Sequence, residues 1–182
     1  TMSVSARTDE QGARSVWSHQ LRLNADGCVE HYVNVDGEGV VVAHTTPLTP
    51  GQWYHVAGSA STGGSVKLFV NGLEEGDAVP EVGQIQPLLD RVVIGGPSGD
   101  GMSHFRGHVA EVRIWSHAIS EDEIHERKNR VLSGTERGLG GYWRLNDGPG
   151  AYVSDLSNYG SVSRVGGDLA WTSSAVPLGV GE

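Results

Sequence analysis

Apolar and polar residues alternate along most of this chain with a period of two, which is the pattern of β-strands that bury one face. In "CVEHYVNV" (residues 28–35), four side chains share one face of the predicted strand: Val29, His31, Val33 and Val35. In "SVKLFVNG" (residues 65–72), the alternating run ends in Asn71–Gly72, a pair that favours a tight hairpin because both central residues of the turn need positive φ. Short groups of turn residues separate most runs, so the sequence predicts an antiparallel all-β fold.

Two segments at the margins of this pattern complete the predicted strands. Residues 73–87 show no clear period, and we expect a surface loop with a short edge strand there. The run "LAWTSS" (residues 169–174) is predicted to be the last strand of the series.

One segment departs from the two-residue period and predicts a helix over residues 121–132. Ser120 is followed three residues later by Glu123, which forms a capping box, and Ile119 and Ile124 are placed as a hydrophobic staple. Acidic residues fill the first turn and basic residues lie toward the end, which suits the helix dipole. Gly134 is predicted to end the helix. The acidic cluster in "SEDEIHE" (residues 120–126) is therefore interpreted as helix architecture.

Glu111 is the remaining acid of interest, on the predicted strand "HVAEVRIW" (residues 108–115). Glycoside hydrolases need two carboxyl groups about 5–10 Å apart. The next residue on the same face of the strand is Arg113, where a second acid would be expected. We predict that Glu111 pairs with Arg113 or with a neighbouring strand. The sequence also contains no Gly-x-Ser-x-Gly elbow and no phosphate-binding Gly-Lys-Ser/Thr loop, so we expect no catalytic residues and no enzyme.

Composition and charge exclude several other classes. The chain has 182 residues, a length at which one all-β domain over residues 1–182 is the simplest expectation. Its 13 basic residues face 22 acidic ones, for a net charge of −9, which argues against binding to nucleic acid. No apolar run reaches the length of about 18 residues that membrane insertion requires. Cys28 is the only cysteine, so no intrachain disulfide can form.

Five short motifs occur in one order along the chain: "WYHVA" (53–57), "LFVNG" (68–72), "FRGHVAEVRIW" (105–115), "AISEDEI" (118–124) and "GYWRLN" (141–146). Together, over about residues 49–171, they are similar to the laminin-G-like (LamG) jelly-roll domains of the concanavalin A-like lectin/glucanase superfamily, near the pentraxins. The resemblance implies an antiparallel two-sheet jelly-roll sandwich with one short helix. A true pentraxin is not expected, because one cysteine cannot form the pentraxin disulfide.

The resemblance also implies a function, which is recognition of a glycan or a protein surface, with an extracellular or cell-surface location. Fold alone does not determine function. Two alternatives are therefore a structural or assembly domain and a divergent glycosidase or polysaccharide lyase. The chain opens at Thr1 on "TMSVSART", which resembles a strand already in progress, so we expect a domain cut from a larger parent chain.

Calcium is the cofactor that the resemblance and the turns suggest. Calcium needs six to eight oxygen ligands, and turns rich in Asp, Asn and Gly can supply them. Two such turns are "LNDGPG" with Asn146 and Asp147, and "SDLSNYGS" with Asp155 and Asn158. The alternative is ordinary turn chemistry, since Asp and Asn also bond their own backbone. Asp155 is the first calcium ligand to test, and no other cofactor is expected.

Aromatic and histidine side chains are further candidates. Three of the five tryptophans are expected in the core, namely Trp53, Trp115 and Trp143, because large aromatic side chains anchor facing sheets. Trp17 is the expected exposed exception, on which a sugar could stack. Three histidines lie on consecutive predicted strands (His31, His44 and His55). A zinc site would need about three such ligands around one point, and a structural role is the simpler expectation.

Overall fold

A computed structural model describes residues 4–8, 16–85, 91–96, 104–167 and 169–173, together with residues 176 and 178. The chain divides into two compact units, Thr1–Gly107 (unit 1) and His108–Glu182 (unit 2). In the described residues the secondary structure is mostly antiparallel strands with one short helix, so the predicted all-β fold class is confirmed. The single domain over residues 1–182 stays a prediction.

Unit 1 contains two antiparallel sheets in its described part. A five-stranded sheet has the order β4-β3-β2-β1-β8, and a three-stranded sheet has the order β5-β6-β7. The strands are β1 (Val4–Thr8), β2 (Val16–Leu23), β3 (Val29–Val35), β4 (Glu38–Ala43), β5 (Val56–Ala60), β6 (Val66–Val70), β7 (Leu73–Val79) and β8 (Arg91–Ile94).

The core of unit 1 lies between these two sheets and is built from the alternating residues of the sequence pattern. Val29, Val33 and Val35 of β3 are buried in one cluster with three residues of β6: Val66, Leu68 and Val70. Full burial of a valine or leucine side chain stabilises a fold by about 1.5–3 kcal/mol. A one-residue register slip would turn all of these side chains outward, so the alternation fixes the strand pairing as well as the core.

The predicted hairpin at Asn71–Gly72 is confirmed, with φ of 53° and 82° at the two residues. It leads into β7, where the expected edge strand is confirmed because Leu73–Val79 pairs with β6 at the edge of the three-stranded sheet, but the strand has seven residues and is longer than predicted. A register shift between Val66 and Leu68 and a positive φ of 73° at Gly76 interrupt the two-residue period. The strand is therefore held by backbone pairing that side-chain alternation does not reveal.

Unit 2 contains two two-stranded antiparallel sheets and the helix in its described part. Its elements are β9 (Val112–Trp115), α1 (Glu121–Arg127), β10 (Leu139–Trp143), β11 (Tyr152–Ser154) and β12 (Val162–Arg164). β9 pairs with β10, and β11 pairs with β12. Residues 169–173 form no strand, so the predicted last strand was wrong over the part of it that is described.

The helix begins as predicted and ends earlier than predicted. Ser120 and Glu123 form the capping box, with the Glu123 N–H donating to Ser120 Oγ and the Ser120 N–H donating to Glu123 Oε2. The helix ends at Arg127 rather than at residue 132. The reason is tertiary: the Arg113 guanidinium binds the backbone carbonyls of Arg127 and Arg130 from strand β9. Within the described ranges, no helix has the length and apolar character needed to cross a membrane.

Candidate functional site

Glu111 lies in a cluster of charged and phenolic groups in unit 2. Its carboxylate accepts hydrogen bonds from the Tyr142 hydroxyl at 2.6 Å, from Arg144 Nε at 2.9 Å and from Arg113 Nη2 at 3.3 Å. The predicted pairing with Arg113 is confirmed. Glu111 has a φ of 55° and lies directly before β9, which begins at Val112. The prediction that Glu111 lies on this strand and shares a face with Arg113 was therefore wrong. No second carboxylate takes part in these hydrogen bonds among the described residues.

The same cluster joins the strand to the end of the helix. Arg113 Nη1 donates to the Arg127 carbonyl at 2.8 Å, and its guanidinium lies 5.6 Å from the centre of the Tyr142 ring. A cation at the C-terminal carbonyls of a helix is favourable. Burial and the hydrogen bond to Glu111 raise the pKa of Tyr142, so the phenol stays protonated and donates. These contacts favour a structural role for Glu111.

We expect Glu111→Gln to lower the free energy of unfolding by about 1–2 kcal/mol, since glutamine keeps one acceptor oxygen but loses the charge that Arg113 and Arg144 face. Urea denaturation at neutral pH measures this loss. Glu126→Gln is the control, because its ion pair with Arg130 is exposed and should contribute less than about 0.5 kcal/mol. Hydrolysis of a β-glucan or galactan that Glu111→Gln abolishes would contradict the structural role.

Asp155 anchors the β11–β12 hairpin to strand β10. The carboxylate is buried, and its Oδ1 accepts the N–H groups of Tyr142 and Ser157, both at 2.9 Å. Its Oδ2 accepts the N–H of Ser161 at 3.3 Å. Burial alone would raise the pKa of Asp155, but the backbone N–H groups of Tyr142, Ser157 and Ser161 together lower it below 3.8. Asp155 is therefore ionised, and its carboxylate holds the hairpin loop against strand β10.

The structure brings the two predicted calcium turns together at Ser154, the last residue of β11. Asp147 Oδ1 accepts the N–H of Ser154 at 2.9 Å, next to Asp155 in the chain. Asn146 and Asn158 are exposed. Among the described residues, no group of three or more His, Cys, Asp or Glu side chains could hold a metal ion. The carboxylates that we expected to bind calcium carry backbone donors, so the donor set fits turn chemistry better than an ion, and calcium binding stays a prediction.

The β11–β12 hairpin exposes one face that we call the hairpin face. It consists of Tyr152, Ser154, Val162 and Arg164, with Tyr159 in the connecting loop. Tyr152 lies opposite Arg164, and Ser154 opposite Val162, while Val153 on the other face is buried. The exposed fractions of Tyr152, Tyr159 and Val162 are 61%, 74% and 74%. Sequence reasoning missed this face, because its strands are only three residues long and the pattern shows no difference between a covered and an open face.

Arg164 differs from most of the arginines whose side chains the structure describes. Five others form ion pairs with glutamates: Arg22, Arg113, Arg127, Arg130 and Arg144. Arg164 is exposed and makes no ion pair or hydrogen bond with a described residue. Its donors are therefore open to a partner beside the exposed ring of Tyr152.

A second polar surface lies on the five-stranded sheet of unit 1. Arg22 Nε donates to Glu30 Oε2 at 2.8 Å, and Arg22 Nη1 donates to Gln20 Oε1 at 3.2 Å. The guanidinium also lies 5.7 Å from the centre of the Tyr32 ring. These groups satisfy one another, so a ligand here would have to replace existing hydrogen bonds. The surface is therefore the weaker candidate.

The tryptophans follow the prediction in part. Trp143 is buried, whereas Trp53 and Trp115 are half-buried, and Arg127 lies 5.0 Å from the centre of the Trp115 ring. The side chain of Trp17 lies outside the described residues. 

The histidines support the structural expectation. The His31 ring is buried against the Lys67 carbonyl, and His44 Nε2 lies 3.6 Å from Glu75 Oε2. No zinc cluster of His, Cys, Asp or Glu side chains is found among the residues that the structure describes.

Residues 2–125 match the family model Laminin_G_3, described as the concanavalin A-like lectin/glucanases superfamily. The match covers more than half of the chain, so the chain belongs to this family, and the resemblance seen in its motifs is confirmed.

The other comparisons are weaker. A solved S-layer domain-containing protein from Clostridium thermocellum ATCC 27405 (residues 221–444) is 21% identical with a TM-score of 0.38. The similar region covers 68% of the present chain and 62% of that chain. A similarity this low carries no argument about function. No curated protein matches the chain significantly.

Proposed function

We propose that this chain is a non-catalytic recognition module that binds a glycan on the hairpin face. The observation that carries the proposal is the exposed ring of Tyr152 directly opposite Arg164, which is exposed and makes no ion pair with a described residue. The apolar face of a sugar ring packs on an aromatic side chain, and the sugar hydroxyls accept hydrogen bonds from a guanidinium. Ser154 on the same face adds a hydroxyl that can donate or accept.

The backbone beneath this face is held in place before any ligand arrives. Asp147 fixes the N–H of Ser154 in β11, and Asp155 fixes the loop that follows. The Leu156 N–H also donates to the Tyr142 carbonyl at 2.8 Å. A surface that is ordered in advance loses less conformational entropy on binding, which supports recognition by this hairpin.

The family description includes both lectins and glucanases, so catalysis is the first alternative. Glu111 supports the non-catalytic side of the proposal, because its carboxylate is held by Tyr142, Arg113 and Arg144. The second alternative is an assembly domain, since Val162 and Tyr159 could equally bury apolar area against a protein. We further propose that the chain is a domain of a larger parent chain with an extracellular or cell-surface location. Calcium would assist the recognition.

The test is a glycan-array screen of the protein, followed by calorimetry with the best-binding glycan. We expect Tyr152→Ala to weaken binding at least tenfold, equivalent to about 1.4 kcal/mol, with an unchanged melting temperature because the ring is exposed. Leu73→Ala is the matched control, since Leu73 is an exposed apolar residue of unit 1. Glycan binding that survives both Tyr152→Ala and Tyr159→Ala would exclude the hairpin face. Binding to no glycan at all would favour the assembly domain.

A further inference from the structure

His31 is a buried titratable group in the interior of unit 1. It lies on β3 with 3% of its surface exposed, and its Nδ1 lies 2.9 Å from the Lys67 carbonyl oxygen of β6. Since a carbonyl only accepts, the neutral ring carries its proton on Nδ1. A Cβ atom built on Gly58 of β5 would lie 2.5 Å from the ring, so the β5 backbone packs directly against it. No space is left there for hydrating a charged ring.

His19 of β2 stacks on His31, with ring centres 6.0 Å apart and an interplanar angle of 23°. His31 is buried and His19 is half-buried on the adjacent strand, and a proton on one ring raises the energy of a proton on the other.

In the described part of unit 1, the elements packed against His31 offer it no counter-charge. Leu21 of β2 and Val42 of β4 are its partners in the sheet register, and β5 contributes Gly58. β6 contributes Lys67, whose ammonium pairs with Glu74 Oε2 at 2.7 Å. Among the described groups, the side-chain charge that acts on His31 is that of His19.

We propose that the stacked pair His19–His31 is an acid-triggered switch whose protonation opens the sandwich between the two sheets of unit 1. The reason is that a buried charge without a counter-ion destabilises the packing around it. This inference concerns unit 1 and stands independently of glycan binding on the hairpin face.

The direction and range of the switch follow from the pKa values. Burial, and then the charge of His19, lower the pKa of His31 from 6.5 to about 4, and burial also lowers the pKa of His19. The folded pKa lies below the unfolded one, so the stability is fully present above pH 6.5 and is lost as the pH falls toward 4. Well below pH 4, a folded pKa of about 4 for His31 changes the unfolding equilibrium about 300-fold, or about 3 kcal/mol.

The experiment measures urea unfolding of the full chain from pH 7.5 to pH 4, with hydrogen exchange of the β3 and β6 amides. We expect the wild type to lose about 150-fold in folding equilibrium over this range, because the folded-state ring is only half protonated at pH 4, with exchange accelerating in both strands. His31→Gln keeps an N–H donor for the Lys67 carbonyl and should remove most of this loss. His125→Gln is the matched control, because His125 is exposed on α1 and should leave the loss unchanged. Buried carboxylates are common to all three proteins and cancel in the comparison.

A second measurement covers the case in which His31→Gln does not fold. The imidazole resonances of the wild type report each histidine separately during an acid titration. We expect His31 to titrate near pH 4, together with the loss of exchange protection in β3 and β6. Titration of His31 near 6.5 with unchanged protection would overturn the proposal, as would equal pH dependence in the wild type and in His31→Gln.

Discussion

Asp155→Ala should lower the free energy of unfolding by about 3–5 kcal/mol, because each buried N–H left without an acceptor costs about 1–3 kcal/mol. Alanine would leave three backbone donors unpaired, those of Tyr142, Ser157 and Ser161. The first two hydrogen bonds are buried, so water cannot easily replace the carboxylate. Urea denaturation at neutral pH in the presence of a chelator measures the loss.

Asp147→Ala is the matched control for this substitution. Asp147 is exposed, and its carboxylate accepts one backbone N–H, that of Ser154. Water can take over this bond, so we expect a loss of about 0.5–1 kcal/mol. Equal losses of unfolding free energy for Asp147→Ala and Asp155→Ala would contradict the role of Asp155 in holding the hairpin loop against β10.

The stability that Asp155 contributes also depends on pH. The folded pKa of Asp155 lies below its unfolded value of 3.8. The stability from this group is therefore present above pH 3.8 and is lost as the pH falls through the folded pKa. Asp155→Asn should flatten the pH dependence of stability in this acidic range, below the range in which His31 loses its own contribution.

Thermal melts with chelator, calcium and magnesium test the calcium prediction separately. Calcium bound only to the folded chain would stabilise it by about 2.7 kcal/mol at one hundred times the dissociation constant. That gain should disappear in Asp155→Ala, and magnesium should not reproduce it. An unchanged wild-type melting temperature in millimolar calcium would leave Asp155 with its structural role alone.

Gly134→Ala should destabilise unit 2 by about 3–5 kcal/mol, the sum of left-handed backbone strain and a steric clash. Gly134 has a φ of 89°, and a Cβ atom there would lie 1.9 Å from the carbonyl oxygen of Leu156. The clash is with backbone rather than with a flexible side chain, so the hairpin loop next to Asp155 would have to move. Chemical denaturation measures the loss, and hydrogen exchange of the Leu156 amide locates it.

Gly148→Ala separates the two contributions to this effect. Gly148 has a similar φ of 85°, and its Cβ would meet no atom within 4 Å. We therefore expect only the strain of the left-handed conformation there, about 1–2 kcal/mol. If Gly134→Ala and Gly148→Ala lower the free energy of unfolding equally, Gly134 does not lie as close to the Leu156 carbonyl as the structure places it.

The sequence by itself determined the features that depend on neighbouring residues. The alternation in β3 and β6 identified the core of unit 1, since the side chains of a strand alternate between its two faces. Ser120 and Glu123 identified the start of the helix, because a capping box involves residues three positions apart. The ordered motifs identified the family, and the charge of Arg113 identified a partner of Glu111.

The tertiary structure alone decided the features that depend on residues far apart in the chain. The helix ends at Arg127 because Arg113 binds carbonyls 14 and 17 positions away. Strand β7 forms by backbone pairing with β6, which needs no alternation of side chains.

The candidate sites were decided in the same way. Asp155 is of a residue type that binds metal ions, so the sequence suggested a calcium ligand. In the structure its carboxylate accepts the N–H of Tyr142, 13 positions away, which gives it a structural role. Tyr152 and Tyr159 are exposed, whereas Tyr142 is buried, although all three are the same residue type. Whether an aromatic side chain is covered depends on what packs against its strand, and local sequence carries no record of that neighbour.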